Sequence, residues 1–330
     1  MENMRIQELE DNEGLFLTES LEDRSGSGRK RPWREKKLAN ELLSSAYLSI
    51  DNKKAIRLRE CSKVLMFRRY PDGSKKLHAM TSCRVRLCPV CSWRRSLKTY
   101  FTMRKILEQC RKDHDYAYLF LTLTVKNCPG DELSPTLDRM MNAWHNLMRD
   151  EAVDKAVKGW YRAMEITHNV NPNSPDFDTF HPHFHVLIAV NPSYFISRDY
   201  LSQAKWVSLW QRAMNLDYTP IVDIRRVKGD DAKAVAECAK YSVKDADYII
   251  PDDWDLTVDT VRLLDQALHN RRFVAYGKEF KQIKKELQLE DEENGSLVDV
   301  GEDEPEEYSE DYIIESYFWY SGYRQYYLLK

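Results

Sequence analysis

The stretch YAYLFLTLTV, Tyr116–Val125, is β-branched and aromatic almost throughout and too short for a helix, which makes it a central strand. WYRAMEITH, Trp160–His168, and HPHFHVLIAV, His181–Val190, are two further runs of this kind, and the Pro/Asn/Ser/Asp-rich loop between them makes them a hairpin. Helical spacing over Asp131–Val157, Ser197–Met214 and Asp231–Asp245, with a strand at Ile221–Val227, completes the order β-α-β-β-α-β-α. That order predicts an α+β fold, a ferredoxin-like or RRM-like antiparallel sheet with helices on one side.

On the N-terminal side, residues 24–37 combine Gly, Ser, Pro and many bases as a flexible arm does. A helix is expected over Arg34–Ser49, β-like stretches around a Pro71–Ser74 turn over Ile56–Cys91, and a helix over Ser92–Cys110. Four regions follow: a flexible arm at 1–50, a compact basic module at 51–112, the sheet domain at 113–250, and an extension at 251–330. The extension holds a helix near Thr257–His269, a strand or turn at Arg271–Tyr276, an acidic stretch and a Tyr-rich end, YFWYSGYRQYYLLK.

The net charge of -3 conceals a strong polarity: residues 1–23 carry -7, residues 286–315 carry -14, and the rest of the chain is therefore at +18. A basic body between acidic segments is the footprint of a nucleic-acid binder, although a solvated charged surface gives the same totals. The acidic stretch itself reads as a spacer first, then as a DNA mimic or a partner surface. Apolar runs such as Val186–Val190 stop far short of the roughly 20 residues a bilayer needs, and the N-terminus is acidic, so a cytoplasmic protein without membrane contact is expected.

Three motifs carry chemistry. Cys83, Cys88 and Cys91 fall within nine residues, with Cys61 across the hairpin, and four thiolates suit tetrahedral Zn2+; His78 is the alternative to one cysteine. Between Lys53 and Arg111 stand seventeen Lys and Arg against three acids, which suits phosphate backbone. His181, His183 and His185 share one face of their strand while Phe184 and Val186 point to the core. Two such imidazoles with a carboxylate suit Mg2+ or Mn2+, the third ligand being Glu165 of the neighbouring strand or His181. Glu237, Tyr241, Lys244 and Tyr248 form one helical stripe, with Lys240 beside it; alone, such a stripe is most often a solvated face.

CRVRLCPVCSWRRS, FLTLTV, HPHFHVL and ECAKYSVK, in this order and at these separations, closely resemble the rolling-circle replication initiators of small Gram-positive plasmids, within the HUH endonuclease superfamily. The likeness runs from about Arg31 to about Asp291, and more loosely over Gln325–Leu328. It implies an HUH nuclease fold in which His183 and His185 bind the metal. Tyr241 would attack a scissile phosphodiester in single-stranded origin DNA, leaving a 5′-phosphotyrosine and a free 3′-hydroxyl. Lys244 or Lys240 would neutralise developing charge, and Glu237 would activate water for termination. Gly277-Lys278 lacks the spacing of a phosphate-binding loop, so duplex unwinding falls to a separate host helicase and synthesis to a host polymerase. The alternatives are a conjugative relaxase or transposase of the same superfamily, and a non-catalytic zinc-dependent DNA-binding regulator.

Overall fold

A computed structural model describes residues 19–228, 235, 239, 243–301 and 311–329. Glu237, Lys240 and Tyr241, and with them most of the helix expected over Asp231–Asp245, lie outside the described residues. The protein is mixed α and β with antiparallel sheets, and it divides into two compact units, Met1–Cys91 with Leu297–Lys330 and Ser92–Ser296. Among the described residues no helix is long and apolar enough to cross a membrane.

The first unit contains α1 (Trp33–Tyr47), α2 (Asn52–Glu60), β1 (Val64–Arg69) and β2 (Lys75–Met80), with β8 (Ile313–Tyr320) and β9 (Gln325–Leu328) from the far end of the chain. The sheet order is β2-β1-β8-β9, so the 251–330 extension is shared between the units. Side chains alternate along β8. Glu315, Tyr317 and Trp319 are buried, and Tyr317 packs edge-on against Phe67, which does the same with Trp33 of α1. Ile56–Arg59, expected as β-like, is the second half of α2. Asp51 caps this helix by accepting from Lys54 N, and Ala55 and Leu58 bury one face while Ile56 is exposed. Residues 24–32, expected as a flexible arm, form a closed turn instead: Arg24 and Lys30 bridge, and Asp23 takes Trp33 Nε1 at 2.6 Å and Arg31 Nε at 3.4 Å.

The second unit is built on β3 (Ala117–Thr124), β4 (Val157–Asn169), β5 (Thr179–Val190), β6 (Val222–Arg226) and β7 (Val274–Lys278), in the order β6-β3-β5-β4-β7 with every pair antiparallel. Its helices include α3 (Pro89–Asp113), α4 (Gly130–Arg149), α5 (Glu151–Ala156), α6 (Gln203–Met214), α7 (Trp254–Ala267) and α8 (Glu279–Glu286). Helices lie on both faces of the sheet rather than on one. Phe184 of β5 meets Trp144 of α4 and Trp210 of α6. On the opposite face Phe120, Tyr161, Leu187 and Ala189 pack with Met103, Ile106 and Leu107 of α3 and Phe280 and Ile283 of α8. Those four sheet residues are large or apolar, so this face also had to be covered. Gly159 admits α8: a Cβ there would stand 2.6 Å from the Phe280 ring.

Residues 290–293 of the acidic stretch are packed, not a free spacer. Glu290 pairs with Lys98, Asp291 with Arg272, and Glu293 Oε1 accepts from Phe273 N at 2.8 Å. Glu292 is buried and holds both Lys284 Nζ, at 2.5 Å, and the Tyr276 hydroxyl, at 2.6 Å.

Candidate metal centres

In the first unit, Cys61 follows α2, Cys83 lies beyond β2, and Cys88 and Cys91 stand at the start of α3, so three separate elements converge on one point. The sulfurs of all four lie within 4.8 Å of one another; Cys61 is 3.6 Å from Cys88 and from Cys91, and Cys83 is 3.8 Å from Cys91. Backbone amides support them: Cys83 N donates to Cys61 Sγ and Cys91 N to Cys88 Sγ, at 3.4 and 3.5 Å. All four are buried, whereas His78 on β2 is exposed and stands outside the group. Hydrogen bonding with Cys61 holds the Cys83 thiol protonated, and burial does the same for Cys88, so a bound cation is what would make these groups thiolates. The neighbouring Lys37 ammonium is buried and donates to the carbonyls of Arg59 and Cys61 at 2.8 and 2.6 Å. Burial lowers its pKa and the sulfurs oppose that shift.

The second group sits at the middle of the five-stranded sheet. Glu165 on β4 is the direct cross-strand partner of His183 on β5, and Ala163 is the partner of His185, so strand register alone brings the carboxylate beside both rings. His185 Nε2 is 3.1 Å and His183 Nε2 3.5 Å from Glu165 Oε2, and the ligand atoms of all three lie within 4.8 Å of one another. The other ring nitrogens are occupied. His183 Nδ1 is 3.1 Å from the His181 carbonyl, and His185 Nδ1 is 3.3 Å from Thr122 Oγ1. Each Nε2 is thereby turned toward the shared point, as imidazole ligands require. His181 is stacked on His183 with ring centroids 5.2 Å apart but is not a member of the group. Two imidazoles and a carboxylate can hold a divalent cation.

Lys244 completes this neighbourhood, its Nζ 3.0 Å from Glu165 Oε1. Burial raises the Glu165 pKa, but hydrogen bonds from His183, His185 and Lys244 outweigh it and hold the carboxyl well below the usual range. β7 pairs with β4 only as far as Ala163, and residues 244–248 pass the remainder of that edge. They are clamped there by His168, whose Nδ1 meets the Asp247 carbonyl at 3.0 Å and whose Nε2 meets Asp178 Oδ1 at 2.9 Å. The His168 ring is stacked on Phe180 at 4.4 Å. No local sequence pattern marks His168. Thr122 was legible, since the alternation of FLTLTV turns it to the histidine side. Tyr248, the second tyrosine of the expected stripe, is 1% exposed.

A family model described as replication protein matches residues 74–327, which take in the Glu/His/His group and three of the four cysteines, Cys83, Cys88 and Cys91. The chain belongs to the replication protein family. It is 41% identical to a protein named Protein rep from Bacillus amyloliquefaciens, over 93% of this chain and 97% of that one. A Protein rep from a Bacillus species is 43% identical over 75% of this chain and 85% of the relative, and one from Streptococcus pneumoniae serotype 2 is 36% identical over 87% and 89%. No solved structure matches. These findings bear out the resemblance of the motifs to rolling-circle plasmid replication initiators, and make this family member a plasmid replication initiator, which implies binding of plasmid origin DNA.

Proposed function

We propose that this family member nicks one strand of the plasmid double-strand origin through Tyr241, with Mg2+ or Mn2+ held by Glu165, His183 and His185. The observation that carries this reading is the 3.0 Å contact of Lys244 with Glu165. Three peptide units separate residue 244 from residue 241, and such a span reaches about 11 Å at most. That Tyr241 precedes Lys244 by only three residues in the sequence supports its assignment to this site. The strand order supports an HUH-type, ferredoxin-like scaffold: β6-β3-β5-β4 are the fourth, first, third and second strands of a β-α-β-β-α-β unit.

A tyrosine with a pKa near 10 is a poor nucleophile at neutral pH, so the site must lower the barrier. The bound cation would polarise the scissile phosphate. Tyr241 Oη then bonds to phosphorus as the bond to the 3′ oxygen breaks, the phenolic proton passing to solvent and the departing 3′ oxygen taking a proton from solvent. The products are a 5′-phosphotyrosine and a 3′-hydroxyl that can prime synthesis. Lys244 and Lys240 offset negative charge on the phosphoryl oxygens, and transesterification conserves the bond energy for rejoining. Partners are the duplex origin, the single-stranded nick site, and a host helicase and polymerase.

Zn2+ is the ion we assign to the four cysteines. Bonds of about 2.3 Å in a tetrahedron set sulfurs about 3.8 Å apart, and the observed separations are 3.6, 3.6 and 3.8 Å. Its role is to hold the zinc-binding module, basic over Lys53–Arg111, in shape against phosphate backbone.

The test is supercoiled plasmid carrying the origin, incubated with protein and either Mn2+ or EDTA. Relaxed circles and a covalent protein–DNA adduct are expected with Mn2+ alone. Failure to relax a proven origin would return the protein to the class of DNA-binding regulators.

Two variants probe separate roles. Glu237→Ala should nick normally yet release few finished circles, because no carboxylate activates the water that ends a round; wild-type yields of closed monomer circles would remove Glu237 from termination. His168→Phe keeps the ring stack on Phe180 and loses both polar contacts. Losing buried hydrogen bonds worth about 1–3 kcal/mol in total loosens residues 244–248, and nicking should fall roughly tenfold with Mn2+ affinity at the Glu/His/His group unchanged. If both quantities fell together, His168 would be supporting the sheet rather than positioning this segment.

A further inference from the structure

The four-stranded sheet of the first unit has an outer face that neither metal centre uses. Its inner face is closed by Tyr317, Trp319 and Tyr326, all buried, so alternation turns Phe318 and Tyr320 of β8 and Tyr327 of β9 to the other side, where they are only half-buried. They form a continuous aromatic surface: Phe318 and Tyr320 have centroids 5.2 Å apart, Tyr320 and Tyr327 6.0 Å, and Tyr327 and Tyr323 6.0 Å. Tyr323, in the β8–β9 turn, is 43% exposed.

Cations border these rings. Lys63 Nζ lies 5.6 Å from the Phe318 centroid, and the Arg68 guanidinium lies 4.9 Å from that of Tyr312. Arg69 and Lys75 lie on the inner side beside Glu315, at 3.2 and 3.0 Å, whereas Arg68 and Lys76 face one another on the outer side, that of the aromatic rings. Arg68 Nε is buried and makes no hydrogen bond among the described residues.

We propose that this face is a stacking platform for single-stranded DNA, with bases on Phe318, Tyr320, Tyr323 and Tyr327 and phosphates along Arg68 and Lys76. Aromatic rings beside cations suit unpaired bases, since a duplex keeps its base faces stacked on one another, and such recognition tolerates any sequence. The choice of DNA rests on the proposed origin function; the platform is distinct from the Glu/His/His group and from the cysteines. It would hold strand opened at the origin while cleavage proceeds elsewhere on the protein.

The test uses the full chain and two fluorescent 20-nucleotide probes that lack a nick site, oligo(dT) and an abasic strand of the same length, followed by anisotropy. Wild type should bind oligo(dT) at least about tenfold more tightly than the abasic strand. The combined variant Phe318→Leu, Tyr320→Leu and Tyr327→Leu keeps apolar bulk and should lose that preference, with affinity for the abasic strand unchanged. Retention of the preference, or an equal loss toward both probes, would overturn the proposal. Should the combined variant lose its metal and its circular dichroism, Tyr323→Ala at the exposed turn serves instead, with a two- to threefold loss for oligo(dT) expected and no loss overturning the proposal. The readout needs no cleavage, so it stands or falls separately from Tyr241 chemistry.

Discussion

Tyr241→Phe abolishes the covalent protein–DNA adduct and lowers origin nicking by about 10^4-fold or more, the scale on which loss of a nucleophile acts, while origin binding stays within about twofold of wild type. The phenylalanine keeps the ring and removes only the oxygen that bonds to phosphorus. The rival nucleophile is Tyr248, expected on the same helical stripe. The chain is extended at Lys244, however, and makes only a short 3-10 turn over Asp245–Asp247, so no helix carries the stripe to Tyr248. Its side chain is 1% exposed, and its backbone N donates to the Asp245 carbonyl next to the segment that His168 clamps. Bringing that ring to a phosphate would expose apolar surface worth about 2 kcal/mol or more and break the clamp. Tyr248→Phe should therefore leave nicking within about threefold. The measurement is denaturing electrophoresis of each variant after reaction with end-labelled single-stranded origin DNA. A labelled adduct with Tyr241→Phe would transfer the role to another residue.

The parts of this molecule that follow from short-range pattern were legible before any coordinates. Alternation in HPHFHVLIAV set His183 and His185 on the face opposite Phe184, and the spacing of Cys83, Cys88 and Cys91 marked a metal group. What escaped depends on partners distant in the chain. The choice between Glu165 and His181 turned on the register of β4 against β5, which is set across the loop at residues 170–178 and puts Glu165 opposite His183. The pairing of Val64–Arg69 with Ile313–Phe318 joins segments some 250 residues apart, and nothing local in either strand announces the other. The acidic run at 290–293 reads as solvated charge by composition. It is packed because Lys98, Arg272, Lys284 and Tyr276 supply a partner for nearly every carboxylate. Ile56 misled in the opposite sense, since a β-branched residue near a hairpin suggests a strand, while the Asp51 cap five residues earlier starts a helix.

Cys88→Ser should remove the metal from the first unit and open that unit. The physical argument is one of scale. Structural zinc contributes about 10–16 kcal/mol of apparent folding free energy in small domains, against a typical total stability of about 5–15 kcal/mol. Here the four sulfurs join the end of α2, the residue after β2 and the start of α3, and Asn40 Oδ1 of α1 lies 3.2 Å from Cys88 Sγ, so every helix of the unit leans on this point. Without the ion, Lys37 becomes a buried cation beside neutral thiols, and the sulfurs that favoured its charge no longer do so. The expected result is loss of one zinc per chain by elemental analysis and rapid proteolysis within residues 19–91, with Mn2+ binding at Glu165, His183 and His185 preserved. Cys110→Ser is the matched control: Cys110 is as buried as Cys88 but belongs to the core of α3 rather than to the metal group, so the zinc should stay. If Cys88→Ser kept full resistance to protease, packing of α1 against β1 and β8 would suffice to hold the unit, and the cysteines would need another purpose.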